Sequence, residues 1–227
     1  MVKIRYLGHA CFTLEDQSKT IIIDPFLTGN PVAAEKSDSI KADLILVTHG
    51  HSDHLGDALF LSKKLGTPIF TTYELSVRLE KDGAKAVGGN HGGTYDFGFA
   101  KVKITWAVHS SSYGESLNVA GNPCGFVIKM GGKNIYHAGD TDVFYDMKLI
   151  GERNNLDVAL LPIGGFYTMD SHDAIYAVEY LQPKIVIPMH YNTFPIIKAD
   201  AMEFKKNVET KTKAKCIILK SGEFLEL

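Results

Sequence analysis

The stretch LILVTHGHSDHLGD, residues 44–57, sets His49, His51, Asp53 and His54 within six consecutive positions directly behind an apolar run. Imidazole nitrogens and carboxylate oxygens are ligands for zinc and its first-row neighbours, and such a set needs no thiolate. In an extended segment the side chains at i and i+2 point the same way, so His49 and His51 converge just beyond the strand end. Asp53 and His54 follow where Gly50 and Ser52 let the chain turn toward a helix starting near Asp57, and they aim into a neighbouring space. That geometry suits two adjacent cations. Three neutral imidazoles and a carboxylate packed together without an ion bring no evident stability, whereas ions would satisfy all of them.

A complete site needs further donors from other loops at the same edge. His109 in ITWAVHSSS, Asp140 in NIYHAGDT and His190 in IVIPMHYN each follow an apolar strand. A strand end is a rigid platform that opens into solvent, so it can hold a ligand and still admit substrate. Alone, a strand-end histidine is ordinarily a surface or hydrogen-bonded residue, and it is the cluster at 49–54 that gives these three their weight. His9, in GHA at a break between two strands, is a candidate to bind substrate or protonate a leaving group, a structural histidine being the alternative reading. Ser110–Ser112, Gly164, Gly165, Phe166, Tyr167, Tyr191 and Asn192 flank ligand positions and are candidates to line a pocket. His91, His137 and His172 read as structural or surface residues, although His172 opens a helix after GGFYTMDS and could face the opening.

The elements that must position these residues are β-rich. Apolar, β-branched segments recur from VKIRYL to KCIILK, and helical patterns are expected at Asp57–Leu65, Tyr73–Lys81, Asp142–Ile150, His172–Leu181 and Ala201–Val208. The first third and residues 94–138 have the glycine-marked turns of hairpins. Sheets covered by helices fit this mixture better than a doubly wound parallel sheet. ADLILVTH and PKIVIPMH, two apolar strands running out into histidine, hint at two related halves. At 227 residues with 45% apolar content, one domain over 1–227 is expected.

A formal net charge of −2 offers no basic field for nucleic acid, which favours a small-molecule substrate. With no apolar leader and no membrane-length run, a soluble cytoplasmic protein is expected. Cys11, Cys124 and Cys216 are far apart with no C-x-x-C pair, so they read as small core hydrophobes.

THGHSDH, followed by separate His, Asp and His at later strand ends, resembles the metallo-β-lactamase superfamily, whose fold is an α+β four-layer αββα sandwich with the metals at one edge. YLGHACF, IIIDPFLTGNP, HSSS, HAGDT and PKIVIPMHYNTFP extend the likeness to its small single-domain hydrolases, broadly related to ascorbate-phosphate lactonase, over residues 6–195. The resemblance implies that His49, His51 and His109 hold one metal, that Asp53, His54 and His190 hold the other, and that Asp140 bridges them. It also implies that Asp24, in IIIDP, supports the histidine loop without binding metal.

Two divalent ions about 3.5–4 Å apart can share a water, lower its pKa and present hydroxide as nucleophile. The expected reaction is therefore hydrolysis of a phosphoester, phosphodiester or lactone, with Asp53 orienting the nucleophile or receiving its proton. Zinc is the first expectation for the ions, and manganese, iron, nickel or cobalt suit the same donors. The alternatives are an iron-dependent redox enzyme of the persulfide dioxygenase type and a metal-dependent binding module without turnover. Homo-oligomers occur among related lactonases, so self-association is a further expectation.

Overall fold

The computed structural model describes residues 1–227. The first sheet is built from β1 (Val2–Gly8), β2 (Cys11–Asp16), β3 (Lys19–Ile23), β4 (Leu44–Leu46), β5 (Ile69–Thr72) and β6 (Ala86–Gly89). The second follows with β7 (Thr94–Asp96), β8 (Ala100–Trp106), β11 (Cys124–Met130), β12 (Lys133–His137), β13 (Val158–Pro162), β14 (Ile185–Met189) and β15 (Lys215–Cys216). β9 (Ser112–Tyr113) and β10 (Asn118–Val119) make a small ribbon between β8 and β11, and β16 (Phe224–Glu226) returns to pair with β1. Six helices cover the sheets: α1 (Ser52–Leu55), α2 (Ala58–Leu65), α3 (Tyr73–Lys81), α4 (Met147–Asn154), α5 (Ser171–Leu181) and α6 (Ala201–Lys211). None is long and apolar enough to cross a membrane.

The apolar runs are continuous because both faces of each strand are covered. In β3, Ile21 and Ile23 enter the core between the sheets, while Ile22 turns outward to Leu61, Leu75 and Leu79 of α2 and α3. In β12, Ile135 joins the inner core and Tyr136 the outer one with Met147, Val178 and Phe204 of α4, α5 and α6. The layers are therefore helix, sheet, sheet, helix, as the metallo-β-lactamase resemblance implies. Each fully buried Ile, Leu, Val or Phe contributes roughly 1.5–3 kcal/mol, so the sandwich is a stiff base for the loops at its edge. Cys11, Cys124 and Cys216 are free and buried in it.

The two sheets share one plan. The first runs β16-β1-β2-β3-β4-β5-β6 and the second, from its outer end, β7-β8-β11-β12-β13-β14-β15. In each, the first three pairings are antiparallel and the last three parallel. The two histidine-ended strands of the sequence echo do not correspond in this plan, because β4 is fifth in its sheet and β14 sixth.

The expected helices all form, Tyr73–Lys81 with the expected ends and the other four with shifted ones. α4 starts at Met147 and not near Asp142; the Asp142 carbonyl, which a helix begun there would offer to its next turn, accepts instead from Thr141 Oγ1 at 2.6 Å, and 142–146 is a loop. α6 runs on to Lys211. Asp53 and His54 sit in a single helical turn, α1, where the sequence suggested an open turn. Of KCIILK only Lys215–Cys216 is strand.

Candidate metal centre

The C-terminal ends of β1, β3, β4, β8, β12, β13 and β14 meet at one edge, and every sequence-selected donor leaves the fold there. Backbone bonds close the two sheets at this edge: His190 N–H donates to His9 O at 2.8 Å and Cys124 N–H to Thr48 O at 3.0 Å. The buried His137 adds a third link, with its Nε2 bonded to Ala10 O at 2.9 Å and its Nδ1 accepting from Gly139 N–H at 3.1 Å. The turn that carries His9 is thus tied to the turn that carries Asp140.

His49, His51 and His109 lie together, with donor atoms within 4.8 Å of one another. β4 ends at Leu46, and the extended chain beyond it delivers His49 and His51 to one side, where His49 Nε2 and His51 Nδ1 are 2.9 Å apart. Gly50 between them has no room for a side chain, since a Cβ there would meet Ser112 O at 2.3 Å. His109 arrives from the loop after β8, its ring centred 5.1 Å from His49 and 5.2 Å from His51.

A second group joins Asp53 and His54 of α1 to His190 and His9. The Asp53 carboxylate is 3.8 Å from His190 Nε2 and 3.2 Å from His9 Nε2. Asp140 faces both groups. One of its oxygens is 3.1 Å from His54 Nε2, and the other is 3.1 Å from His190 Nε2 and 3.6 Å from His109 Nε2.

Asp24 holds the rings from behind. Fully buried, it accepts from Thr48 N–H at 2.8 Å, Thr48 Oγ1 at 2.7 Å and His54 Nδ1 at 2.8 Å. The Thr48 hydroxyl is committed as a donor to Asp24, so it accepts from His49 Nδ1 at 3.0 Å. In their neutral form both histidines therefore turn an Nε2 lone pair toward the centre. Thr48 was not singled out in the sequence, although a hydroxyl closing an apolar strand beside a histidine was a usable signal. Thr193, whose Oγ1 lies 2.9 Å from His9 Nδ1, carried no such signal.

His9 itself is fully buried, with both ring nitrogens engaged. His91 bonds Pro123 O beside Trp106, and His172 is exposed next to Tyr176 on the first turn of α5. Neither joins the cluster.

Burial pushes His49 well below the ordinary histidine value, and it also lowers His51 and His109, so that trio offers neutral nitrogens. Burial opposes charge on His54 and His190 too. There the adjacent carboxylates win, with Asp140 raising His190 to about 9 and Asp140 and Asp24 raising His54 well above normal. Against its own burial, Asp140 is held low by His190 and His54.

The donor set fits cations. His54 Nε2 and His190 Nε2 stand 3.1 Å from the Asp140 oxygens, close enough for ion pairing but out of line for a hydrogen bond, so His54 Nε2, Asp140 Oδ1 and both ring nitrogens of His190 are buried without a hydrogen-bond partner, a state costing about 1–3 kcal/mol per group unless something satisfies it. Backbone strain gathers at the same edge, where His9, Asp24, His190 and Asn192 hold φ between 46° and 62°. At about 1–3 kcal/mol each, such conformations persist only where surrounding structure enforces them.

Comparison with known proteins agrees. The beta-lactamase superfamily domain matches residues 3–190. A UPF0173 metal-dependent hydrolase of Pelotomaculum thermopropionicum is 51% identical over 229 residues, covering all of both chains. The Thermus thermophilus relative of the same description is 51% identical over 227 residues, again end to end. Among solved structures, Igni18, a metallo hydrolase from the archaeon Ignicoccus hospitalis, superposes with a TM-score of 0.91 at 41% identity, covering 100% of this chain and 99% of that one. The chain belongs to the beta-lactamase superfamily and, within it, to the UPF0173 metal-dependent hydrolases.

Proposed function

We propose that residues 1–227 act as one hydrolase domain holding two divalent cations, zinc being the first to test. One is held by His49, His51 and His109, the other by Asp53, His54 and His190, with Asp140 reaching both. The observation that carries this reading is the set of buried, unpartnered donor atoms on His54, Asp140 and His190. Bound there, the cations would supply Lewis acidity and a water acidic enough to act as nucleophile near neutral pH.

The protein's own groups do the rest. Asp53 has a side chain 30% exposed while Asp140 is 3% exposed, so Asp53 is the carboxylate that meets the opening and receives a proton from the attacking water. His9 donates from Nε2 to Asp53 and accepts at Nδ1 from Thr193, which fixes the direction of that carboxylate. Being fully buried, His9 serves the reaction through Asp53 and not by touching substrate. The substrate is a small phosphoester, phosphodiester or lactone.

The test is metal analysis of the purified protein combined with a turnover screen over phosphomonoesters, phosphodiesters and lactones, with His49→Ala and Asp140→Ala as controls. Turnover dependent on bound metal and lost in both variants is expected. Full turnover in either variant would remove the hydrolytic mechanism. Oxygen consumption by an iron-loaded sample, without hydrolysis, would put redox chemistry in its place.

A further inference from the structure

β12, β13 and β14 are parallel neighbours, so their loops leave the same edge side by side. The loop after β12 carries Asp140, and β14 runs into His190. The loop after β13, residues 163–170, therefore rises between these two donors, in the crevice at the strand ends where open sheets receive ligands. It is pinned at both ends to their carriers. Gly164 packs so tightly on His190 O that a Cβ would stand 2.2 Å away, and Met169 N–H donates to Thr141 O at 3.0 Å.

At the tip of this loop stand Phe166, 73% exposed, and Tyr167, 54% exposed. Their rings meet edge to face, centroids 4.7 Å apart at 84°. Phe166 also holds φ at 58°, a left-handed conformation that is strained for a bulky side chain. A large apolar ring in a strained conformation, shielded from nothing, gives no stability to the fold.

The charges around the crevice are one-sided. The loops at 24–43, 47–57, 107–123, 138–146, 163–170 and 190–200 contain no arginine and three lysines, Lys36, Lys41 and Lys198. The same loops carry Asp142, Asp146, Asp170 and Glu115 in addition to the candidate ligands. A phosphate dianion there would find almost no protein cation for the oxygens that the metals leave free, and would face several carboxylates.

We propose that Phe166 and Tyr167 form the specificity wall of this site, and that the substrate is an uncharged ester or lactone presenting a flat apolar group, such as an aryl ring, to that wall. This rests on the hydrolytic reading above, keeps its lactone branch, sets aside its phosphoesters and adds open-chain carboxylic esters. Edge and face of the two rings offer a stacking surface that a planar apolar group fills and a small aliphatic one does not. Both side chains are exposed, so truncating them leaves the core intact.

The test measures kcat/KM of the metal-loaded full chain on two matched pairs: γ-phenyl-γ-butyrolactone against γ-butyrolactone, and phenyl acetate against phenyl phosphate. Binding of 3-phenylpropionamide against propionamide, followed by ligand-observed NMR, supplies a readout independent of turnover. The expected results are a preference of about tenfold for the phenyl lactone over its parent, and faster cleavage of phenyl acetate than of phenyl phosphate. Selective binding of the aryl amide is expected as well. Phe166→Ala and Tyr167→Ala should each collapse the aryl preference toward unity, and Phe224→Ala, an exposed aromatic on the β16 edge strand, should not.

Hydrolysis without aryl preference in the wild-type protein overturns the wall and leaves the hydrolase standing. Phe166-dependent binding of the aryl amide with no hydrolysis of any substrate does the reverse. Preference for phenyl phosphate overturns the charge argument. Concentration-dependent self-association that Phe166→Ala abolishes, with the aryl preference unchanged, assigns the ring pair to a second copy of the chain and overturns the proposal.

Discussion

The two donor groups differ in how they are held. His49, His51 and His109 contribute imidazoles only; the His109 side chain is 13% exposed, and His49 alone of the trio is fixed from behind, through Thr48. Asp53, His54 and His190 include a carboxylate, and both histidines are buried. His54 is braced by Asp24 and Asp53 by His9. A site with a negative donor and braced, buried rings binds a divalent cation more tightly than an all-imidazole site with open, unbraced members. On the proposed two-cation reading, one seat would be firm and the other looser, with Asp140 between them.

Asp140→Ala removes the one carboxylate that faces both groups, so it should be the most damaging change. It should lower bound metal at both seats and reduce kcat/KM by about a thousandfold or more, read by metal analysis and steady-state kinetics. Retention of full metal content would refute its shared position. Asp24→Ala comes next, since it leaves Thr48 N–H, Thr48 Oγ1 and His54 Nδ1 buried without an acceptor. A loss of about 2–4 kcal/mol in unfolding free energy is expected by calorimetry, with metal weakened at both seats and not at one.

The comparison is tested most directly by chelator titration. One ion per chain should leave first, and His109→Ala should hold about one ion where the wild type holds two. If His190→Ala gave the half-loaded form and His109→Ala bound a full complement, the order of the seats would be inverted. Thr48→Val is a finer probe. It deletes the acceptor for His49 Nδ1 while keeping the side-chain shape, and should weaken the looser seat by about tenfold or somewhat more.

The smallest expected effect is a pH dependence at His137, which lies behind both seats. Burial holds its imidazole below the ordinary 6.5. A histidine with a lowered folded pKa stabilises the protein above its unfolded pKa, and that contribution is lost as pH falls below about 6.5 and through the folded value. The Tm advantage of wild type over His137→Gln should therefore be largest at pH 7–8 and shrink toward pH 5. A constant difference across that range would show that the ring does not titrate between the folded and unfolded states.

How much of this was legible depended on sequence distance. Four donors were plain because they crowd into His49–His54, where apolar strand, glycine and histidine pattern agree. His109, Asp140 and His190 were visible only as polar residues at the ends of apolar strands, and it took the cluster to give them meaning. Asp24 was marked by the resemblance, but its bond to His54 spans thirty residues of sequence and has no local signature. The start of α4 was misplaced because residues 141 and 142 are held by Val108 of a distant loop, a contact with no local signature. β5, β6 and β16 were not separated from their surroundings, being short strands recognisable only once paired.

The sequence by itself determined the donor chemistry and the apolar strands that surface beside it, because residue type and near-neighbour periodicity are local properties. Only the tertiary structure decided which donors lie together and which buried atoms lack partners. It alone set His9 behind Asp53, and the loop that carries Phe166 between the loops of Asp140 and His190. Those facts follow from the order of parallel strands in two packed sheets, and strand order is set by the burial of both faces of the sandwich and not by any single segment.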